Sequence, residues 1–260
     1  MPNRILFDGC SFTANSGFDE SNRLQHHWPV IFSNHYKSYY QNSAIGGSSN
    51  EEILYRTIEN CNRSTYDLVI IMWSAVGRKW VYFSENNVDD FTIITGAQIT
   101  GFNHLDHNVL NYAKLHYAHF NNEYTLIKQW LLNIIVLEKF FRYKKQKYIF
   151  AKGFDNFLTE IEKSNFSTES GSINLSHRLK RMLDFDNRSD RYIKEKLDNL
   201  KFLLQEIKTY NWVNFDSLAF WESAIDRAEG NSHPGPLSNL NFATKLISYC
   251  ECNKLLQIKS

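Results

Sequence analysis

Four short polar stretches hold the groups from which a reactive site could be built. Asp8-Gly9-Cys10-Ser11-Phe12-Thr13 follows the apolar run Ile5-Leu6-Phe7 and sets a hydroxyl, with its own backbone N–H, at the end of a strand. Asn42-Ser43-Ala44-Ile45-Gly46-Gly47-Ser48-Ser49-Asn50 offers glycines that let a backbone approach a ligand closely and amides near a helix start that point outward as donors. Trp73-Ser74-Ala75-Val76-Gly77-Arg78 follows a second apolar run, and Asn231-Ser232-His233-Pro234-Gly235-Pro236 brings an imidazole just ahead of the last helix. Each has a plainer interpretation. Ser11 is an ordinary turn residue, Gly46-Gly47 a flexible turn, His233 a surface-loop histidine and Arg78 a solvated or salt-bridged cation.

The other histidines give no ligand set. His104-x-Asp106-His107 and His116-x-x-His119 have donor types suited to a divalent metal, but no strand or helix context gathers them, so no metal and no cofactor is expected. His26, His27 and His35 read as surface or helix-packing residues.

The elements that must position these stretches alternate along the chain. Arg4–Phe7 reads as a buried strand turning at Asp8-Gly9. Pro29 suits the first turn of a helix carrying Val30, Ile31 and Phe32. Residues 38–41 form a second expected strand. Ser49 with Glu52 three residues on is a capping-box pattern, with Glu51 and Glu52 where the helix dipole favours acids. Leu68–Trp73 has no polar alternation, as expected of a parallel strand covered on both faces. A long loop or small hairpin is expected over 84–108, one or two long helices over 112–143, and a fourth strand over 148–151. Residues 165–174 read as a Ser/Thr-rich linker. Leu197, Leu200, Leu203, Leu204 and Ile207 share one helical face within 190–210; Trp212–Phe215 is the fifth expected strand, and 238–250 closes the chain as an amphipathic helix.

Strand–helix alternation of this kind predicts an α/β fold: a three-layer α/β/α sandwich with a parallel sheet of about five strands and a helical insertion. In such sheets ligands bind beyond the carboxyl ends of the strands, where all four stretches fall. The 260 residues suit one domain, with an insertion at about 84–146 and a linker or insertion at about 155–190. Lys and Arg number 29 against 28 Asp and Glu, and aromatics (15%) lie in no basic stripe, so nothing favours a nucleic-acid partner. No run nears the roughly 20 apolar residues needed to span a bilayer, so no membrane partner is expected. The four scattered cysteines read as reduced thiols, and the short apolar run after Met1-Pro2-Asn3-Arg4 is no secretion signal; a cytoplasmic protein is the expectation.

Taken together, the four stretches resemble the SGNH (GDSL-type) hydrolase superfamily, from Ile5 to the C-terminal helix. Gly9-Cys10-Ser11-Phe12 matches the Gly-Asp-Ser-Leu block with Cys10 in place of the aspartate; Asn42 and Gly47 match the second block, and His233-Pro234 the last. The series Gly-Cys-Ser-Phe-Thr, Trp-Pro, Gly-Gly-Ser-Ser-Asn and His-Pro-Gly is similar to a divergent subgroup met in phage and bacterial genomes, which would make the protein virion-associated if phage-encoded. The resemblance implies a flavodoxin-like sandwich and acyl transfer through an acyl-serine. Ser11 would be nucleophile and His233 its base, with the amides of Ser11 and Gly47 as oxyanion donors. Two family groups are unmatched. The asparagine of the third block is absent from 74–78, leaving Ser74 or Arg78 as the third donor, and Gly230 stands where the acid that orients the histidine belongs. Asn231, Glu229 and Asp226 are the nearby substitutes for that acid. Asn231 would hold the ring but could not offset an imidazolium, a change that costs about 10⁴ in a Ser-His-Asp protease.

The expectation is a slow serine esterase acting on a small acyl ester or an acylated glycan, with Asn50 and Arg78 as substrate contacts. An acyltransferase to a sugar hydroxyl, or an inactive carbohydrate-binding or structural protein on the same scaffold, are the alternatives. Oligomeric state is not legible.

Overall fold

The structure is a computed structural model that describes residues 2–14, 25–85, 88–94, 107–116, 122–155, 157–167, 172–228 and 233–258. In chain order its elements begin with β1 (Arg4–Gly9), α1 (Ser11–Ala14), α2 (Trp28–His35), β2 (Tyr39–Asn42), α3 (Asn50–Arg63) and β3 (Leu68–Trp73). β4 (Lys79–Glu85), β5 (Val88–Ile94), α4 (His107–Leu115), α5 (Glu123–Lys144) and β6 (Tyr148–Lys152) follow. The chain ends with α6 (Leu158–Lys163), β7 (Asn165–Ser167), β8 (Ser172–Asn174), α7 (His177–Met182), α8 (Asp190–Gln205) and α9 (Pro236–Cys252).

Two compact units emerge. The first comprises Met1–Ala75, Leu137–Asp155 and Thr209–Ser260; the second comprises Val76–Val136 and Asn156–Lys208. These segments stand beside the insertions expected at 84–146 and 155–190.

The first unit is built on a parallel sheet of order β2-β1-β3-β6. β1 and β3 are central and almost wholly buried, which is why both read as uninterrupted apolar runs. Alternate residues serve opposite layers. Ile5, Phe7, Leu68, Ile70 and Met72 face a core shared with Trp28 and Phe32 of α2 and Phe242, Ala243 and Leu246 of α9. On the other face α3 packs on β1, and Phe141, in the last turns of α5, lies 4.8 Å from the ring of Tyr148. This is the expected three-layer arrangement. Ser49 caps α3 by accepting the Glu52 N–H at 3.2 Å, as the capping-box spacing predicts.

The fifth expected strand, Trp212–Phe215, is present as a single parallel bridge between Phe150 and Trp212. Beyond it the Asn214 side chain accepts the Lys152 N–H at 2.8 Å and donates to the Lys152 carbonyl at 3.1 Å. One amide side chain thus does what the next strand residue would have done.

In the second unit β4 and β5 pair antiparallel from Lys79↔Ile94, so the hairpin expected within 84–108 begins earlier, at Lys79. The stretch expected as a linker over 165–174 is instead the hairpin of β7 and β8, whose register sets Phe166 opposite Ile173. Ile193, Leu197, Leu200 and Leu204 form the buried face of α8. No described helix is long and apolar enough to cross a membrane.

Candidate active site

Ser11 sits where β1 ends. Gly9 is required there, because a Cβ on it would lie 2.8 Å from the Met72 carbonyl oxygen of the neighbouring strand. The chain then turns at Cys10, whose carbonyl accepts the N–H groups of Thr13 and Ala14 at 2.9 Å, and Ser11 opens α1. Its position leaves its amide without an intrahelical acceptor. Ser11 is 7% exposed, and its hydroxyl makes no hydrogen bond among the described residues.

His233 lies far off in sequence but is brought to this turn. Its ring meets the ring of Phe12, the residue after Ser11, edge-on with centroids 5.6 Å apart. A chain of buried hydrogen bonds ties the two segments. The Phe12 carbonyl accepts the Trp28 indole N–H at 2.9 Å, and the Nε2 of buried His27 lies 3.2 Å from the same oxygen. The Trp28 amide donates to Oδ1 of Asn239 on α9 at 3.2 Å, and Nδ2 of Asn239 donates to the carbonyls of Pro234 and Gly235 at 3.0 and 2.9 Å. Asn239 therefore fixes the residues just after His233 against the helix that holds Phe12. Sequence inspection missed it, because an asparagine inside an amphipathic helix looks like surface; it is 2% exposed.

Asp226 lies seven residues ahead of His233. Its carboxylate accepts the amides of Leu237 at 2.9 Å and Ser238 at 2.8 Å and the Ser238 hydroxyl, anchoring the start of α9. Burial raises this carboxyl, but those hydrogen bonds outweigh it and hold Asp226 below its ordinary range. Asp226, one of the three groups weighed as orienting the imidazole, has both oxygens committed to the helix. Asn231 and Glu229 lie outside the described residues.

Gly47 lies in the turn after β2 with φ +86°, a left-handed conformation suited to glycine, and is half-buried. Asn42 ties this loop to the Ser11 turn, donating to the Thr13 carbonyl at 2.6 Å while accepting the Ala44 N–H at 3.2 Å.

Two of the expected site residues meet at the end of β3. Asn50, expected to touch substrate, clamps the end of β3, where its Oδ1 accepts the Ser74 N–H at 2.8 Å and its Nδ2 donates to the Ser74 carbonyl at 3.1 Å. Ser74, expected as an oxyanion donor, is fully buried, its amide spent on Asn50 and its hydroxyl without a partner. Arg78 belongs to the second unit, half-buried just ahead of β4.

Beneath the site lies a charge network with no counterpart in the motif reading. Asp8, 0% exposed, accepts the Arg56 guanidinium with both oxygens at 3.0 and 3.2 Å, the Gly9 amide at 2.7 Å and the Thr57 hydroxyl at 3.0 Å. Arg56 also reaches the Gly9 carbonyl at 3.1 Å, the Ser48 hydroxyl at 3.2 Å and Glu52 at 3.0 Å. Burial pushes the Asp8 carboxyl above its ordinary value, and Arg56 foremost, then Gly9 and Thr57, pull it back. The network thus grips Gly9, two residues before Ser11, and Ser48, the residue after Gly47.

No group of three or more His, Cys, Asp or Glu residues that could hold a metal occurs among the described residues. His104, Asp106 and His119 lie outside them. His35 lies on the surface, 3.2 Å from Glu251.

No family model matches the chain, and no curated protein does. Among solved structures it is similar to one named as a G-D-S-L family lipolytic protein from Desulfitobacterium hafniense DCB-2 (10% identity, 95% of this chain and 99% of that one, TM-score 0.46). It is similar as well to TesA (15% identity, 97% and 99%, TM-score 0.46) and to the acetyl xylan esterase AlAXEase (12% identity, 94% and 98%, TM-score 0.45). Likenesses at this level carry neither family membership nor activity to this chain.

Proposed function

We propose that the chain is a serine ester hydrolase with Ser11 as nucleophile and His233 as its base, acting on a small acyl ester such as an acetylated glycan. One observation carries the proposal. A serine hydroxyl with no hydrogen-bond partner among the described residues stands at a strand end, with an imidazole edge-on to the next residue and the two residues after that imidazole fixed by a chain of buried hydrogen bonds. The Ser11 oxygen keeps contact with solvent and is committed to no group among the described residues, so it stands open to an incoming ester carbonyl.

In the proposed cycle His233 removes the Ser11 proton as Oγ attacks the ester carbonyl, since a neutral hydroxyl is a poor nucleophile. The negative charge on the tetrahedral intermediate falls on the amides of Ser11 and Gly47, the latter presented by a left-handed turn. Collapse expels the alcohol, which takes the proton from His233, and water then repeats the sequence on the acyl-serine. The proposal keeps the slow turnover implied by the two family groups that the sequence does not match, the third-block asparagine and the aspartate where Gly230 stands.

A fluorophosphonate probe should label Ser11, and p-nitrophenyl acetate turnover should fall by about 10³ or more in Ser11→Ala and in His233→Ala. Turnover that survives Ser11→Ala would reject the proposal.

A further inference from the structure

We propose that Arg227 recognises an anionic group on the ester, so that the acylated molecule bears a carboxylate or phosphate close to the reacting carbonyl. The inference rests on the hydrolase proposal above and names its substrate class.

Beside Ser11 the structure builds an aromatic platform. Trp221 stacks on Phe12 with centroids 5.6 Å apart and planes 10° from parallel, and Phe154 lies 4.7 Å from Phe12. The Arg227 guanidinium carbon sits 4.4 Å from the centre of the Trp221 ring. The Arg227 backbone is bridged to Pro234, so the residue that carries this cation pairs with the neighbour of His233. Platform, imidazole and guanidinium thus belong to one locally fixed group around Phe12.

The cation is exposed and unspent. Among the described residues Arg227 has no ion pair and no hydrogen bond, and its contact with Trp221 consumes none of its five N–H donors. The carboxylates next to it in sequence point elsewhere: Asp226 holds the start of α9, and Glu222 accepts the Asp155 N–H at 3.2 Å. Most surface arginines sweep through many rotamers. This one is steadied over a ring, which lowers the entropy lost when its planar fork meets a carboxylate. Such a fork accepts carboxylate or phosphate side-on with two parallel hydrogen bonds.

Two matched pairs of esters separate a charge carried by the acyl group from one carried by the alcohol. p-Nitrophenyl hemisuccinate against p-nitrophenyl butyrate tests the acyl side; 4-acetoxybenzoate against its methyl ester tests the alcohol side. In the full chain the anionic member of one pair should be favoured about tenfold in kcat/KM. That preference should shrink as salt rises from about 0.02 to about 0.5 M. Arg227→Gln should collapse the ratio, and Arg227→Lys should restore part of it. Equal rates within both pairs, or a preference that survives Arg227→Gln, would overturn the inference. If no ester is turned over and Ser11 resists the fluorophosphonate, it is the hydrolase proposal that has failed. Calorimetry then decides the present one, with the four esters added to Ser11→Ala and to Ser11→Ala/Arg227→Gln. Binding of an anionic ester that depends on Arg227 supports the anion site, and its absence refutes it.

Discussion

Replacing Arg56 by methionine should be among the most damaging single substitutions in the first unit. The side chains are similar in length, so little cavity is left, and the loss is one of charge. Asp8 stays fully buried, with only the Gly9 amide at 2.7 Å and the Thr57 hydroxyl at 3.0 Å to satisfy it. Removing one partner of a buried ion pair costs about 3–5 kcal/mol, because the remaining charge has no compensation. Against a total stability of about 5–15 kcal/mol this is a large fraction, and it should lower the thermal midpoint by roughly 10 °C. The reverse substitution should be milder. In Asp8→Asn the guanidinium keeps Glu52 at 3.0 Å and a side chain 12% exposed to water. The double variant Asp8→Asn/Arg56→Met should be more stable than Arg56→Met alone, with a coupling of about 2–3 kcal/mol.

The pH dependence gives a second readout. Burial already raises Asp8, and without Arg56 the chief opposing influence is gone, so in the variant its carboxyl moves further up. A folded state that holds a proton more tightly than the unfolded chain loses stability as pH rises from the ordinary carboxylate value through the raised one. The deficit of Arg56→Met should therefore be full at neutral pH and shrink on acidification toward about pH 4. Circular dichroism melts of wild type and the three variants across that range would measure it. A deficit below about 1 kcal/mol at pH 7, one that grows on acidification, or Asp8→Asn costing more than Arg56→Met, would refute the reasoning.

Asn239→Leu should strand the Trp28 amide and the Pro234 carbonyl at a cost of about 1–3 kcal/mol, and loosen His233. In an active enzyme kcat should then fall more than KM rises, and steady-state kinetics on p-nitrophenyl acetate would show the split. A native thiol titration should find one fast cysteine, the exposed Cys252, with Cys10, Cys61 and Cys250 reacting only on denaturation. Burial pushes the thiols of Cys61 and Cys250 up to about 12, which slows them further.

Much of the frame was legible because burial on both faces leaves a local trace. Ile5-Leu6-Phe7 and Leu68–Trp73 read as parallel strands, and Ser49 with Glu52 as a helix start, since each signal lies within one element. The order of the four polar stretches likewise places Ser11, Gly47 and His233 at loops and turns following strands or preceding the last helix. What was not legible depends on pairing across distance. Asp8 and Arg56 are an unremarkable acid and base in the sequence, and only the sheet brings them together. Asn50 looked like a loop residue with a side chain to spare, and the fold spends its amide on the backbone of Ser74. The 165–174 stretch was misjudged because composition was weighed above register.

The same distinction bears on how the site is held. Ser11 depends on contacts of β1 with its neighbours, so Gly9, Asp8 and Arg56 serve the fold and the proposed nucleophile together, and damage to them should appear first as instability. His233 depends on a later and narrower attachment, through Asn239, Asp226 and the start of α9. Substitutions in that second group should separate activity from stability. A chain in which Asn239→Leu lost stability and activity in the same proportion as Arg56→Met would show that the histidine loop is no more independent than the strand it faces.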